Sequence, residues 1–462
     1  MVCCQNSAIK NDQSKKTCFA LNHIRKVMKI FSTNTIKVPH DIASVTRIAD
    51  GEFSPDLAGM TEFQVNHIWH AVESLYRTGN YPMLSICLRR QGKIVLNRSI
   101  GHSHGNGPED KASTPKRIAT PDTPVCLFSA SKSVTAMLVH LLSERGEIDL
   151  LDPISQYIPE YGVNGKRRAT ILHLLAHRGG LPHIEGDVTP ELLFDKDEVV
   201  RRLCAAAPVS PSGYRMAYHA VTAGYILGEL VERVSGQNLK DFLQENIAKP
   251  MGMTCFNYGL APEFRDQVAI SSATGLHPSL GSNLYLQHVL GGDLDLAVNV
   301  TNDPRFMDTI CPAGNLYTTT EQAGRFFEML LNGGTYNGVK IFDPKTVLRA
   351  TIESSRMSID STLLAPMRYS TGFMLGANPV GLFGPMSSHT FGHLGFSNIF
   401  CWADPQRDIS VSILNSGKAV VGTHLPALVN LLFQINNNCD KVATKDRRSV
   451  FGHDLAHIHV AH

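Results

Sequence analysis

The sequence predicts an α+β protein: an antiparallel sheet built from both ends of the chain, flanked by helices, with a mainly helical segment inserted between them. Three observations predict it. Strand-like runs occur near residues 83–100 and again near 391–413, and helical periodicity dominates the stretch between. Each strand pair is joined by a short turn rather than by a crossover helix, which favours antiparallel pairing. The 462 residues are 43% hydrophobic and 18% charged, enough apolar material for a large core and two or three structural units.

Taken in order, residues 61–78 carry Val65, Ile68, Trp69, Val72, Leu75 and Tyr76 at helical spacing, and Gly79 closes the helix. Met83–Arg89 and Lys93–Ile100 read as strands around a Gln91-Gly92 turn. A polar loop is expected from Gly101 to Pro124, then a helix from Ser129 that ends at Gly146. Asp152-Pro153 starts a short element, and Ile171–Leu175 leads into the Gly179-Gly180 turn. Ala223, Ile226, Leu227, Leu230, Val231 and Val234 form an amphipathic stripe capped by Gly236, and Leu239–Ile247 extends it to Pro250. Another helix is expected over Thr320–Asn332. Phe391–Trp402 and Ile409–Ile413 then read as a hairpin around Asp404-Pro405, followed by a helix over Val421–Ile435. The expected organisation is a basic N-terminal extension (1–60), the first part of an α/β domain (61–168), a mainly helical inserted domain (169–305), the rest of the α/β domain (306–437) and a polar tail (438–462).

A net charge of +2 gives no global pull toward nucleic acid or a membrane surface. The ten cysteines are scattered without C-x-x-C or disulfide-like spacing, so they read as free thiols in a reducing compartment, with Cys3-Cys4 open to modification. Seven Lys or Arg and a single acid, Asp12, occupy the first forty residues, without the continuous apolar core of a signal peptide. The expected location is cytoplasmic, with organelle targeting left open. Phe19, Leu21, Ile24, Val27, Met28, Ile30 and Phe31 could line a basic amphipathic helix; a solvated extension is the expectation over membrane contact. His453, His457, His459 and His462 read as plain tail rather than as metal ligands, since a tail does not hold ligands rigidly.

The chemistry centres on Phe128-Ser129-Ala130-Ser131-Lys132. Residues three apart share a helix face, so the Ser129 hydroxyl and the Lys132 amine can meet. The positive helix end and burial both disfavour an ammonium, leaving the amine free to accept a proton. S-x-x-K also occurs at Ser7…Lys10 and Ser113…Lys116, but only Ser129 has a strand before it and an apolar helix after it. Gly101-His102-Ser103-His104-Gly105 matches the nucleophile elbow G-x-S-x-G, yet the polar run behind it cannot open a packed helix, so Ser103 is not the expected nucleophile. Tyr218 precedes the amphipathic helix and could relay protons, or could simply pack. In Phe391-Gly392-His393-Leu394-Gly395-Phe396, Gly395 permits close backbone approach and the Phe396 N–H could stabilise an oxyanion; a strand bulge with a satisfied histidine is the alternative.

Five blocks in order, FSASKSVTA, ATILHLLAHRGGLP, GYRMAYHAVTAGYILGELVERVSG, AGNLYTTTEQAGRFFEMLLNGG and FGHLGFSNIFCWADPQ, resemble the serine β-lactamase and penicillin-recognising superfamily. The nearest branch is class C-like, which includes family VIII carboxylesterases, and the resemblance spans about Met83 to Leu432. It implies a β-lactamase/transpeptidase-like fold, Ser129 as acyl-accepting nucleophile, Lys132 as base and Tyr218 as partner general base and acid. It further implies an oxyanion hole made by the N–H groups of Ser129 and Phe396, with substrate contacts from His393, Gly395 and His219. No metal or organic cofactor is implied, and the expected partner is a small ester or amide.

The chain departs from the β-lactamases at two places. Tyr218-His219-Ala220 lacks the usual asparagine two residues after the tyrosine, and His393-Leu394-Gly395 replaces Lys-Thr-Gly. Both departures remove handles for an anionic amide and favour a carboxylesterase on small or short-chain acyl esters. β-Lactamase or D-amino peptidase activity, acyl transfer, and a catalytically inactive scaffold on the same fold are the alternatives. Arg178-Gly179 also replaces a more usual Thr-Ser pair.

Overall fold

The structure is a computed structural model that describes residues 33–186, 188–276 and 280–442. The possible N-terminal helix, Ser7…Lys10, Cys3-Cys4 and the histidine tail lie outside the described residues. Five helices and seven strands position the site. The helices are α1 (Glu62–Arg77), α2 (Ser131–Glu144), α3 (Thr222–Ser235), α4 (Thr320–Leu331) and α5 (His424–Asn438). The strands are β1 (Thr46–Ile48), β2 (Met83–Arg90), β3 (Lys93–His104), β4 (Met374–Leu375), β5 (Phe391–Gly395), β6 (Ile399–Asp404) and β7 (Ile409–Asn415).

The strands pair antiparallel in the order β4-β5-β6-β7-β2-β3-β1, with Arg117–Ile118 added beside β3. The seam that joins the two chain ends is β7 on β2, where Ile413 faces Ile86 and Val411 faces Leu88. Helices α1 and α5 pack together on one face, and α4 covers β2, β6 and β7 on the other. With both faces covered, every residue of β2, β6 and β7 is buried, including the polar residues Ser85, Arg89, Ser410 and Ser412.

Local signals account for the element ends. Thr61 and Gln64 form a reciprocal capping box at the start of α1. Gln91 (φ 49°) and Gly92 (φ 74°) supply the two positive φ values that a tight twisted hairpin requires. Gly236 takes the left-handed conformation (φ 71°) that ends α3.

Two expectations need correction. The polar loop starts later than expected, because β3 runs through Gly101 to His104. Ser103 is therefore buried within a strand, with its Oγ 3.1 Å from His104 Nδ1, and no strand-turn-helix elbow exists there. The run Phe391–Trp402 is two strands, β5 and β6, folded back on each other at 396–398; Asn398 (φ 63°) takes the left-handed conformation that asparagine tolerates.

The middle of the chain is largely helical, with further helices Lys196–Ala205, Leu280–Leu290 and Leu294–Asn302. One apolar core joins Val134, Met137 and Leu138 of α2 to Ile226, Leu227 and Leu230 of α3 and to Phe326 and Phe327 of α4. The seven described cysteines are all free and buried. Among the described residues no helix is long and apolar enough to cross a membrane.

Candidate active site

The nucleophile turn hangs from a second, three-stranded sheet formed by Val125–Cys126, Leu316–Thr318 and Phe256–Tyr258. Leu127 N–H donates to the Leu316 carbonyl at 2.8 Å, and the chain then turns through Phe128 with φ +49°. A phenylalanine in the left-handed region is strained, and such strain persists where surrounding contacts over-determine it. Here Ser131 Oγ supplies the contacts: it donates to the Phe128 carbonyl at 2.6 Å and accepts from Leu316 N–H at 3.1 Å. A 3-10 turn over Phe128–Ala130 leads into α2, leaving Ser129 half-buried at its mouth. The Ser129 N–H belongs to the first turn, where a helix has no acceptor of its own.

Lys132 Nζ lies 3.0 Å from Ser129 Oγ and donates to the Ala313 carbonyl at 2.9 Å. Burial lowers its pKa from the ordinary lysine value to about 7. A neutral amine fits these two partners: one N–H points at Ala313, and the lone pair is available to the Ser129 hydroxyl. The segment that accepts this bond is pinned at three successive carbonyls, since Thr135 Oγ1 donates to Pro312 at 2.6 Å and Cys126 Sγ to Gly314 at 3.3 Å.

Tyr218 is buried, with Lys132 Nζ 5.1 Å from its ring centroid. Burial pushes its phenol well above the usual range, and the hydrogen bond with Ser129 pulls less strongly the other way. Its backbone N–H donates to Asp360 Oδ1 at 3.0 Å. Arg178 ties down the approach to it: Nη1 donates to the carbonyls of Gly213 and Tyr214, both at 3.2 Å. His177 packs on Tyr218 with ring centroids 4.8 Å apart.

The β5 edge closes the site. Gly395 does permit close backbone approach, but to the chain itself: a Cβ there would stand 2.3 Å from the Leu127 carbonyl oxygen. This contact lays Phe396 beside the nucleophile turn, its ring 5.9 Å from that of Phe128. His393 is buried and burial holds its pKa near 3, so it is neutral rather than a replacement cation; its Nδ1–H donates to the Leu394 carbonyl at 2.7 Å.

A cleft with about 840 Å³ of empty space opens from Ser129. Phe128, Phe396, Ala220 and Cys311 line it near the hydroxyl, and Leu193, Leu296, Val300 and Phe306 line it farther out. No charged residue is among those lining it. His219, His393 and Gly395 lie outside the lining of this cleft, as do Lys132 and Tyr218. His219 is buried and stacked on His177 at 5.7 Å, and Leu394 packs on the core that also holds Tyr218 and Ala220.

Sequence reasoning missed Asp360, the 311–314 segment and Lys418. Lys418 is a second buried lysine, its pKa lowered to about 7 by burial; Nζ donates to the Asn415 carbonyl at 3.1 Å and lies 4.5 Å from the Phe128 ring centroid. The only available signal was a lysine inside an otherwise uncharged stretch, Ile409–Ala419, that follows a strand.

In sequence and fold the chain is similar to several known proteins. The chain is 27% identical over 308 residues to the esterase/beta-lactamase LipL of Mycobacterium tuberculosis, covering 64% of this chain and 70% of that protein. A solved family VIII carboxylesterase superposes with a TM-score of 0.69 at 24% identity, over 80% of this chain and 96% of the other. A penicillin-binding protein homologue from Caulobacter crescentus gives 0.68 at 24% identity, over 81% and 97%. The family model described as Beta-lactamase matches residues 69–429, a span that holds Ser129, Lys132, Tyr218 and Phe396, and the chain thus belongs to the beta-lactamase family.

Proposed function

We propose that this protein is a serine hydrolase that forms a covalent acyl-enzyme on Ser129 and acts as a carboxylesterase on small, uncharged acyl esters. The observation that carries the reading is the Ser129–Lys132 pair, 3.0 Å apart, opening on a cleft whose lining residues carry no charge. Lys132 accepts the Ser129 proton as Oγ attacks the ester carbonyl. The N–H groups of Ser129 and Phe396 are assigned to the oxyanion of the tetrahedral intermediate. Collapse breaks the carbon–oxygen bond of the ester, and the departing alcohol leaves with a proton supplied through Tyr218 or the newly protonated Lys132. Water then attacks the acyl carbon and gives a proton to Lys132; the bond between the acyl carbon and Ser129 Oγ breaks, Oγ takes that proton back, and the acid departs.

A β-lactam or peptide substrate would bring a carboxylate to this cleft, where the lining supplies no cation, and His393 is neutral where a lysine would bind it. The reading is tested by comparing a chromogenic acetyl or butyryl ester with a chromogenic cephalosporin. The ester should turn over with a kcat/KM at least about 100-fold higher. A cephalosporin turned over faster would overturn the esterase assignment while leaving the acyl-enzyme chemistry standing.

A further inference from the structure

Tyr218 belongs to a segment with neither helix nor strand, so something else must hold its phenol at the nucleophile. What holds it arrives 142 residues later in the chain, on the hairpin formed by Ser358–Asp360 and Ala365–Met367. Ser361 grips one side of the tyrosine segment, with its N–H and its Oγ both donating to the Met216 carbonyl, at 3.0 and 3.1 Å. Asp360 grips the other. Its Oδ1 accepts from Tyr218 N–H at 3.0 Å and from Thr362 and Leu363 N–H at 2.9 Å each, and its Oδ2 accepts from the Tyr369 hydroxyl at 3.1 Å.

Asp360 is fully buried, and among the described residues no cation pairs with it. Burying an uncompensated carboxylate is costly, and four donors offset only part of that cost. An asparagine oxygen would hold the same three N–H groups more weakly and its amide nitrogen could not accept from Tyr369, so the charge serves to tighten the grip on the tyrosine segment. The groups around the Tyr218 ring are Ser129 and Lys132 from the nucleophile helix, His177 and His219 beside it, His393 from β5, and Tyr369. The three histidines are held neutral by burial, which leaves Asp360 as the negative charge that acts on the phenol.

We infer that Asp360 is the positioning residue for Tyr218: it fixes the backbone of the tyrosine segment so that the phenol stays between Lys132 and the leaving group, where it donates its proton to the departing alcohol and takes back the one Lys132 accepted from Ser129. This rests on the acyl-enzyme reading above and goes beyond it by naming what holds the tyrosine in place.

The test is a double-mutant cycle on ester turnover, using Asp360→Asn, Tyr218→Phe and the double variant, with thermal unfolding followed for each. Asp360→Asn should lower kcat about 10- to 100-fold with KM changed less than about twofold. In the Tyr218→Phe background the same substitution should cost less than about threefold, because there is no phenol left to position. Losses that multiply would overturn the positioning role alone. Wild-type turnover by Tyr218→Phe would overturn the role of the tyrosine and the inference with it. Should Asp360→Asn fail to fold, Tyr369→Phe takes its place in the cycle: a loss confined to the Tyr218 background supports the inference, and a loss equal in both overturns it.

Discussion

At Lys132 the burial that strips an ammonium of its hydration also makes the residue a base. With a pKa near 7, the amine loses its proton as pH rises through neutrality, so kcat/KM should climb through about pH 7 and fall below it. An arginine cannot be deprotonated, so Lys132→Arg should be inactive across the whole range. Ser129→Ala and Lys132→Ala should each lower kcat by about three orders of magnitude or more, and the double variant should be little worse, since the pair acts as a unit. Near-normal turnover by Lys132→Ala would remove the base. His393 shows why residue type alone misleads. Histidine in a lysine position suggests a weaker cation, but a fully buried ring that donates its Nδ1–H to a neighbouring carbonyl stays neutral.

At the scale of elements, the site is a junction between a turn and a strand edge. The two N–H groups proposed as oxyanion donors belong to separate segments, the Phe128–Ala130 turn and the residue after β5, and Gly395 brings these together by lying against the Leu127 carbonyl. A Cβ at Gly395 would also fall 2.9 Å from the Ile399 Cβ, so alanine must push β5 away from the nucleophile turn. Gly395→Ala should therefore lower kcat about 100-fold or more, since a misplaced donor forfeits most of its worth. A folded Gly395→Ala variant with full activity would separate β5 from the oxyanion hole. The β5–β6 turn did leave a signal in the sequence, Gly395 followed by Ser397-Asn398, but the apolar residues on either side read as one continuous strand. The helices were easier to read. Capping residues and left-handed glycines mark their ends within a few residues in sequence, as at Thr61 and Gly236.

For the whole molecule, what was legible is what is local. Ser129 and Lys132 are three residues apart on one helix, and Gln91-Gly92 forms its own hairpin, so short-range physics fixes both. Asp360, Lys418 and the 311–314 carbonyls reach the site only through tertiary packing, and no spacing near them announces it. The cleft is similar: much of its wall comes from 290–306, a stretch of mixed composition with no motif to mark it. That wall carries a prediction about substrate. Ala297 lines the cleft, so Ala297→Trp should lower kcat/KM for an octanoyl ester about tenfold more than for the acetyl ester. Equal losses on both esters would place the acyl chain elsewhere.

The account stands on Ser129 carrying the acyl group, and one measurement reaches that directly. The enzyme is mixed with a chromogenic acetyl ester, quenched in acid during the burst, digested, and its peptides weighed. The account predicts an acetyl adduct on the peptide containing Ser129, absent from Ser129→Ala and strongly reduced in Lys132→Ala. An adduct on the Ser103 peptide, or steady ester turnover by Ser129→Ala, would contradict it.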